Sequence, residues 1–353
     1  MIDTVTQTTS DLPYLGIRYL INYYICNIAC PYCIAGEYKK ERLFNIENFR
    51  VILSRIQELP YSVCLRIGVG GEIFTSQEIL DEIKQICNEK NNIFGVNFSS
   101  NIYADWEKVL KPFLDSVNTQ KLGMGCTLHD LVIPDVNTFF EKVRKIKECG
   151  VLVYVGYVAV PQMIPRIPEY KKRCDDIGVP LLINALRGQV HGIEGADPRK
   201  RYPKDYTKQE LQQLKNHWDT PHSYKMLVEQ CSPKGMKCSA GKNYIFITST
   251  GEVLPCNRIK RSMGNIIEGQ IQFQKKDTIC PKGSCECGNQ NQALRIVDKY
   301  YKRTRNLRIF YPKKGIPKEK LYQGYHPVPS IKIKSKFLMF ARNFMMSLKH
   351  NIR

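Results

Sequence analysis

The stretch Cys26-Asn27-Ile28-Ala29-Cys30-Pro31-Tyr32-Cys33 puts three thiols within eight residues. It follows Gly16 to Ile25, an apolar run rich in β-branched and aromatic residues that predicts a first strand. Thiolates hold iron–sulfur clusters, and a CxxxCxxC loop is short enough to bring three sulfurs to one face of a 4Fe–4S cube. Three protein ligands leave one iron open to a small chelating molecule, which makes such a cluster reactive rather than only electron-carrying. Two blander readings stand beside this one: a zinc knuckle, usually built from four ligands in paired units, and three unrelated core cysteines.

Outward from this loop, residues 14 to 184 alternate between two patterns. Strands are predicted at Gly16–Ile25, Val63–Val69, Ile93–Phe98, Lys121–Thr127, Val151–Val160 and Val179–Ile183. Helices are predicted between them at about 45–59, 76–90, 103–116, 135–149 and 167–177, where apolar residues recur at three- and four-residue spacing, as in Ile79, Ile83 and Ile86. Asp105 and Asp135 stand near helix starts, and Gly150 and Gly178 follow helix ends. Strict alternation implies parallel strands joined by right-handed crossovers. Six units are two short of a closed TIM barrel, so the expected fold class is α/β, a partial (β/α)6 TIM-like barrel over residues 14–188.

Barrels of this kind keep their chemistry at the carboxyl ends of the strands, which is where the cysteine loop falls. The second strand ends in Gly68-Val69-Gly70-Gly71-Glu72, where paired glycines allow close approach to the backbone and a carboxylate can bind an ammonium group. The third ends in the polar turn Ser99-Ser100-Asn101. His129 and Asp130 follow the fourth strand and could contact substrate, although an ordinary polar loop pair is the favoured reading. Arg187, after the sixth, suits a carboxylate or phosphate ligand, or a salt bridge closing the barrel. Neither His129 nor Arg187 is assignable as catalytic from sequence alone. Cys64, Cys87, Cys126, Cys149 and Cys174 lie inside predicted elements and read as packing.

The CxxxCxYC loop behind a first strand, with Tyr32 just before its last cysteine, resembles the radical S-adenosylmethionine (SAM) superfamily, and Gly70-Gly71-Glu72 resembles that family's GGE motif. The resemblance implies the same open barrel and a 4Fe–4S cluster on Cys26, Cys30 and Cys33. It implies that SAM is bound near Tyr32, with its methionine amino group held by Gly70, Gly71 and Glu72, and with Ser99, Ser100 and Asn101 near the ribose and carboxylate. The implied activity is reductive cleavage of SAM to a 5′-deoxyadenosyl radical that abstracts hydrogen from a sugar, small molecule or peptide, with oxidation of the substrate through an auxiliary iron–sulfur cluster or redox-neutral epimerisation as the outcome. Flavodoxin or ferredoxin would be the reductant.

Residues 189–230 read as a connecting segment, rich at first in Gly, Pro and charge and then opening a helix with a capping box at Thr207 and Glu210. A second cysteine group, expected as a small α+β extension over 231–298, holds Cys238, a hairpin with its turn at Thr250-Gly251, Cys256, and then Cys280, Cys285 and Cys287. The hairpin sets Cys238 and Cys256 near one end of a two-stranded ribbon, as two ligands of one metal centre require. This segment is similar to the SPASM/Twitch extension of radical SAM proteins, with Cys238, Gly251, Cys256 and the Gly264-Asn265-Ile266 turn matching. Because only three cysteines follow Cys256, the resemblance implies one auxiliary cluster, of the 4Fe–4S type. Its ligands would be Cys238 and Cys256 with two of Cys280, Cys285 and Cys287, and Cys231 in reserve; a structural zinc is the alternative.

The 353 residues are 43% hydrophobic, enough for a large core, and carry a net charge of +20. Residues 1–13 form a polar lead without the apolar core of a signal peptide, so the fourteen cysteines point to a reducing cytoplasm. The tail, 299–353, concentrates the charge: from residue 301 onward fourteen Lys or Arg face the single acid Glu319, a charge of +13. Its last part mixes these with Phe337, Phe340, Phe344 and methionines, a composition suited to peripheral contact with an anionic membrane, to a packed terminal helix, or to an arm drawn to nucleic acid. A second class of function therefore stays open, a non-catalytic iron–sulfur or zinc protein binding RNA or membrane through this tail.

Overall fold

The computed structural model describes residues 14–35, 44–133, 135–190, 192–218 and 221–285. Six strands and five helices alternate in it: β1 Leu15–Leu20, α1 Ile46–Gln57, β2 Val63–Gly68, α2 Gln77–Asn88, β3 Ile93–Ser100, α3 Lys111–Ser116, β4 Leu122–Leu128, α4 Val136–Glu148, β5 Leu152–Ala159, α5 Ile167–Ile177 and β6 Leu181–Ala185. All neighbouring pairs run parallel in the order β6-β5-β4-β3-β2-β1, the partial barrel that the alternation predicts. The helices cover the outer face through their apolar stripes: Ile79, Leu80, Ile83 and Ile86 of α2 are all buried, each contributing about 1.5–3 kcal/mol. Asn45, Ser76 and Asp135 cap α1, α2 and α4 by accepting from backbone N–H groups of the first turn.

Two elements depart from the expected bounds. The helix expected over 103–116 begins as a wide turn, Trp106–Leu110, N-capped by Asp105, and tightens to α-helix only from Lys111. Pro112 lacks the N–H that a regular helix would use to reach back one turn, so the ladder is relaid around it. The strand expected through Ile25 ends at Leu20. Beyond it the chain is captured by the turn after β2: Gly70 and Gly71 donate their N–H groups to the Tyr23 carbonyl, and Glu72 donates to Ile25.

After β6 come α6 Lys208–His217, opened by the Thr207/Glu210 capping box, and α7 Pro221–Leu227. The cysteine-rich segment contributes β7 Lys237–Cys238, β8 Tyr244–Ile247, β9 Val253–Leu254, β10 Gly264–Asn265, β11 Gln270–Ile271 and β12 Thr278–Ile279. The β8–β9 hairpin does not stand apart from the barrel. β8 pairs parallel to β1, Gly16 opposite Tyr244 through Tyr19 opposite Ile247, and makes one eight-stranded sheet with β9 at its edge. The reason is chemical: β8 reads Tyr-Ile-Phe-Ile and is buried at every position, so it needs cover on both faces and takes the exposed edge of β1. No helix among the described residues is long and apolar enough to cross a membrane. The N-terminal lead, Cys287 and the basic tail lie outside the described residues.

Candidate functional site

At the carboxyl end of the sheet the loops after the first four strands meet. The glycine pair after β2 is required by the cysteine loop itself: a Cβ on Gly71 would stand 2.0 Å from the Ile25 carbonyl oxygen, and one on Gly70 would stand 2.3 Å from the Tyr24 ring. Sequence reasoning assigned these glycines to the approach of a ligand, whereas the backbone that approaches them here is the chain leading to Cys26. The Glu72 carboxylate turns inward and is 2% exposed. One oxygen accepts from Ser100 Oγ at 2.7 Å and from Phe74 N at 3.1 Å, and the other from Asn101 N at 2.7 Å. Burial pushes its pKa up, against the pull of these donors. Glu72 thus ties the turn after β2 to Ser100 and Asn101, while the Ser99 side chain accepts from Arg66 Nη2 at 3.3 Å.

Asn101 joins the cysteine loop to this group, its Nδ2 lying 2.8 Å from Asn27 Oδ1 and 3.9 Å from Cys26 Sγ. Across the mouth, His129 Nδ1 lies 2.9 Å from the Tyr32 hydroxyl and 3.3 Å from Cys30 Sγ, and the two rings stack at 6.0 Å. Burial lowers the His129 pKa to about 4. Its neighbour Asp130 turns the other way, accepting from the Tyr170 and Tyr157 hydroxyls at 2.8 and 3.0 Å, with Arg166 at 3.4 Å. Arg187 is directed elsewhere, its Nη2 3.5 Å from the Leu227 carbonyl at the end of α7. The structure therefore gathers Cys26, Cys30, Cys33, Tyr32, Gly70, Gly71, Glu72, Ser100, Asn101 and His129 around one mouth and leaves Arg187 at a helix end. The contact of His129 with the cysteine loop is invisible in sequence, because ninety-nine residues separate it from Cys30.

The second cysteine group forms at the opposite, amino end of β1. Cys238 on β7 pairs antiparallel with β12, and Cys280 N donates to the Met236 carbonyl at 2.8 Å. Cys256 follows β9 in a turn closed by Ile259 N, and Arg258 reaches Ser284 Oγ at 3.0 Å. Cys238, Cys256, Cys280 and Cys285 thereby share one small buried cluster with Met226, Ala240 and Tyr244. Burial, with Cys280 and Cys256 close by, pushes the Cys238 thiol up to about 12. Cys231 is exposed and outside this cluster.

Among the described residues no three His, Cys, Asp or Glu side chains already converge as metal ligands. The donor chemistry nonetheless suits iron–sulfur clusters at both places. Three half-buried thiols share the first loop, and four thiols from four segments share one small buried cluster.

Residues 238–273 match the SPASM family, an iron–sulfur cluster-binding domain. The cysteine-rich extension is therefore similar to a SPASM domain. The SPASM match spans Cys238 and Cys256, and the hairpin between them is the one that joins the barrel sheet. Among solved structures, Streptococcus suis SuiB bound to S-adenosylmethionine is 15% identical over 72% of this chain and 64% of that one, with a TM-score of 0.48. The anSMEcpe protein with bound AdoMet is 16% identical over 72% and 76%, TM-score 0.49, and BtrN is 14% identical over 73% and 78%, TM-score 0.32. This chain thus spans less than two thirds of the SuiB chain. No curated protein matches the sequence.

Proposed function

We propose that this protein is a radical SAM enzyme. The observation that carries the reading is the meeting, at one carboxyl mouth, of the CxxxCxxC loop with the Gly70–Glu72 turn and the Ser100-Asn101 turn, through Glu72 N to the Ile25 carbonyl at 2.7 Å and Asn101 Nδ2 to Asn27 at 2.8 Å. Cys26, Cys30 and Cys33 would hold the first cluster, and Cys238, Cys256, Cys280 and Cys285 the auxiliary one. When bound, the first cluster supplies the electron, received from a flavodoxin or ferredoxin, that cleaves SAM to the 5′-deoxyadenosyl radical which abstracts a substrate hydrogen.

The rest falls to the chain. Glu72 holds the turns after β2 and β3 in register, so that the carbonyls of Gly70 and Gly71, whose N–H groups are taken up by the Tyr23 carbonyl, would present fixed acceptors to the ammonium group of SAM. His129, wedged between Tyr32 and Cys30, keeps the cysteine loop seated over the barrel. The buried Tyr32 ring, stacked on His129, excludes water on that side. The auxiliary cysteines stand at the other end of β1, about 13 Å below Leu20 at roughly 3.3 Å per residue. The two cysteine groups therefore stand toward opposite ends of β1, and a cluster on the second group would supply an electron acceptor for oxidation of the substrate, the outcome we favour over redox-neutral epimerisation.

Anaerobically reconstituted, dithionite-reduced protein should convert SAM to 5′-deoxyadenosine and methionine, and the Cys26→Ala/Cys30→Ala/Cys33→Ala triple variant should not. Cluster-loaded protein that leaves SAM intact under these conditions would overturn the reading.

A further inference from the structure

The inner face of the barrel is chemically unusual. Closed barrels fill this space with layers of bulky branched side chains. Here the face turned away from the helices carries Arg18 on β1, Arg66 on β2, Asn97 and Ser99 on β3, and Thr127 on β4, interleaved with glycines. The glycines make the room: a Cβ on Gly123 would stand 2.6 Å from Asn97 Nδ2, and one on Gly125 would stand 2.4 Å from the Tyr154 hydroxyl. Arg18, Arg66, Ser99 and Thr127 are only partly buried although they lie within central strands, whereas the helix-facing positions beside them, Tyr19, Ile67, Phe98 and Leu128, are all fully covered. The inner face is thus partly exposed at Arg18, Arg66, Ser99 and Thr127 and buried at Asn97.

Its charge is one-signed. Strands β1 to β6 contain two arginines and no Asp or Glu. Arg18 and Arg66 stand directly opposite each other in the β1–β2 register, two like charges on one face. Arg66 donates to two neutral oxygens, Asn97 Oδ1 at 3.1 Å and Ser99 Oγ at 3.3 Å. The carboxylates of the turns after β2 and β4 are engaged elsewhere, Glu72 by Ser100 and Asn101 and Asp130 by Tyr157 and Tyr170. Finally, Asn97 Nδ2 is buried, 1% exposed for the residue, and has no hydrogen-bond partner. A buried amide donor without an acceptor is costly and marks a place where an acceptor belongs.

We propose that this inner face binds an oxyanion of the substrate, a carboxylate or phosphate, through the Arg66 guanidinium and the Asn97 amide with Arg18 beside them. The proposal rests on the radical SAM reading for the identity of the reaction and names the substrate class for the same cavity. Arg66 lies two residues below Gly68, so an anion held there sits some 7 Å below the level of Gly68, with the rest of the substrate extending toward the mouth.

The test uses reconstituted, SAM-loaded protein with inorganic phosphate and acetate as separate probes, at ionic strength held constant with chloride. At least one probe should raise the melting temperature in a saturable manner, and the tighter of the two names the anion. Arg66→Gln should need about tenfold more of that probe for the same shift, and Arg66→Lys should fall between the two. Ser99→Asp keeps the arginine but places a carboxylate beside it, and should weaken the probe similarly while the variant stays folded. Two results would overturn the proposal: neither probe binding to wild type beyond the chloride control, or a folded Ser99→Asp variant binding the probe as wild type does. SAM cleavage by the same wild-type preparation separates the two readings, since cleavage without anion binding sinks only this proposal, and its absence sinks the reaction.

Discussion

Replacing Glu72 by Ala tests how the mouth is held together. The change removes the acceptor of two buried backbone N–H groups, Phe74 and Asn101, and of the Ser100 hydroxyl. Each buried amide left without an acceptor costs about 1–3 kcal/mol, so the two together cost about 4. The Ser100 hydroxyl can rotate and already accepts from Ile102 N, so it adds little. Against this, burial raises the Glu72 pKa, which means the carboxylate is incompletely compensated and its removal returns part of the loss. The expected net destabilisation is about 3 kcal/mol, which for a chain of this size is a melting temperature lower by roughly 4 °C. Glu72→Gln keeps one acceptor but turns an amide NH2 toward Asn101 N, and should fall between. The assay is thermal unfolding by circular dichroism alongside SAM affinity by equilibrium dialysis. An Ala variant that melts within ~1 °C of wild type while losing SAM affinity by about tenfold would refute the reasoning. It would make Glu72 a direct ligand of the SAM ammonium instead of the link between two turns.

Wild-type protein reconstituted anaerobically should hold about eight irons in two cubane clusters; Cys238→Ser, Cys256→Ser, Cys280→Ser and Cys285→Ser combined should remove about half, and Cys231→Ser should remove none. An iron content that drops with Cys287→Ser but not with Cys285→Ser would reassign the fourth ligand. Asp130 offers a pH test. Burial raises its pKa in spite of the Tyr170, Tyr157 and Arg166 contacts, so the folded state binds a proton that the unfolded chain has already released. Stability contributed by this group therefore rises as pH falls from above the raised folded value toward the ordinary carboxylate value, and is lost as pH rises back through that window. Urea unfolding at neutral pH and at pH about 4.5 should show wild type gaining on Asp130→Asn at the lower pH; an unchanged gap would mean that Asp130 is ionised throughout. For the basic tail, each Lys or Arg near an anionic surface contributes roughly 1 kcal/mol, so truncation after Gln323 should abolish co-sedimentation with anionic vesicles and leave SAM cleavage intact. Full-length protein that ignores vesicles but shifts RNA would move the tail to nucleic acid.

The elements of the barrel were legible because each is decided locally. Six β-rich runs and the helical stripes between them, such as Ile79, Ile83 and Ile86, need only their own periodicity and caps to be read, and handedness follows from chirality. The three thiols of the first loop were legible for the same reason, since eight residues of chain cannot place them far apart. What sequence left undecided was every contact between segments distant along the chain. That β8 would take the edge of β1 depends on which apolar strand finds an uncovered edge. Which of the later cysteines share a pocket depends on the pairing of β7 with β12, and this gathered Cys280 and Cys285 with Cys238 and Cys256 and left Cys231 in solvent. Glu72 read as a ligand for an ammonium group because its spacing names a motif, but burial and three inward-facing donors are properties of the assembled turns. Arg18 and Arg66 looked like unremarkable strand residues forty-eight positions apart, and only the parallel register of β1 and β2 sets them side by side on the inner face of the barrel.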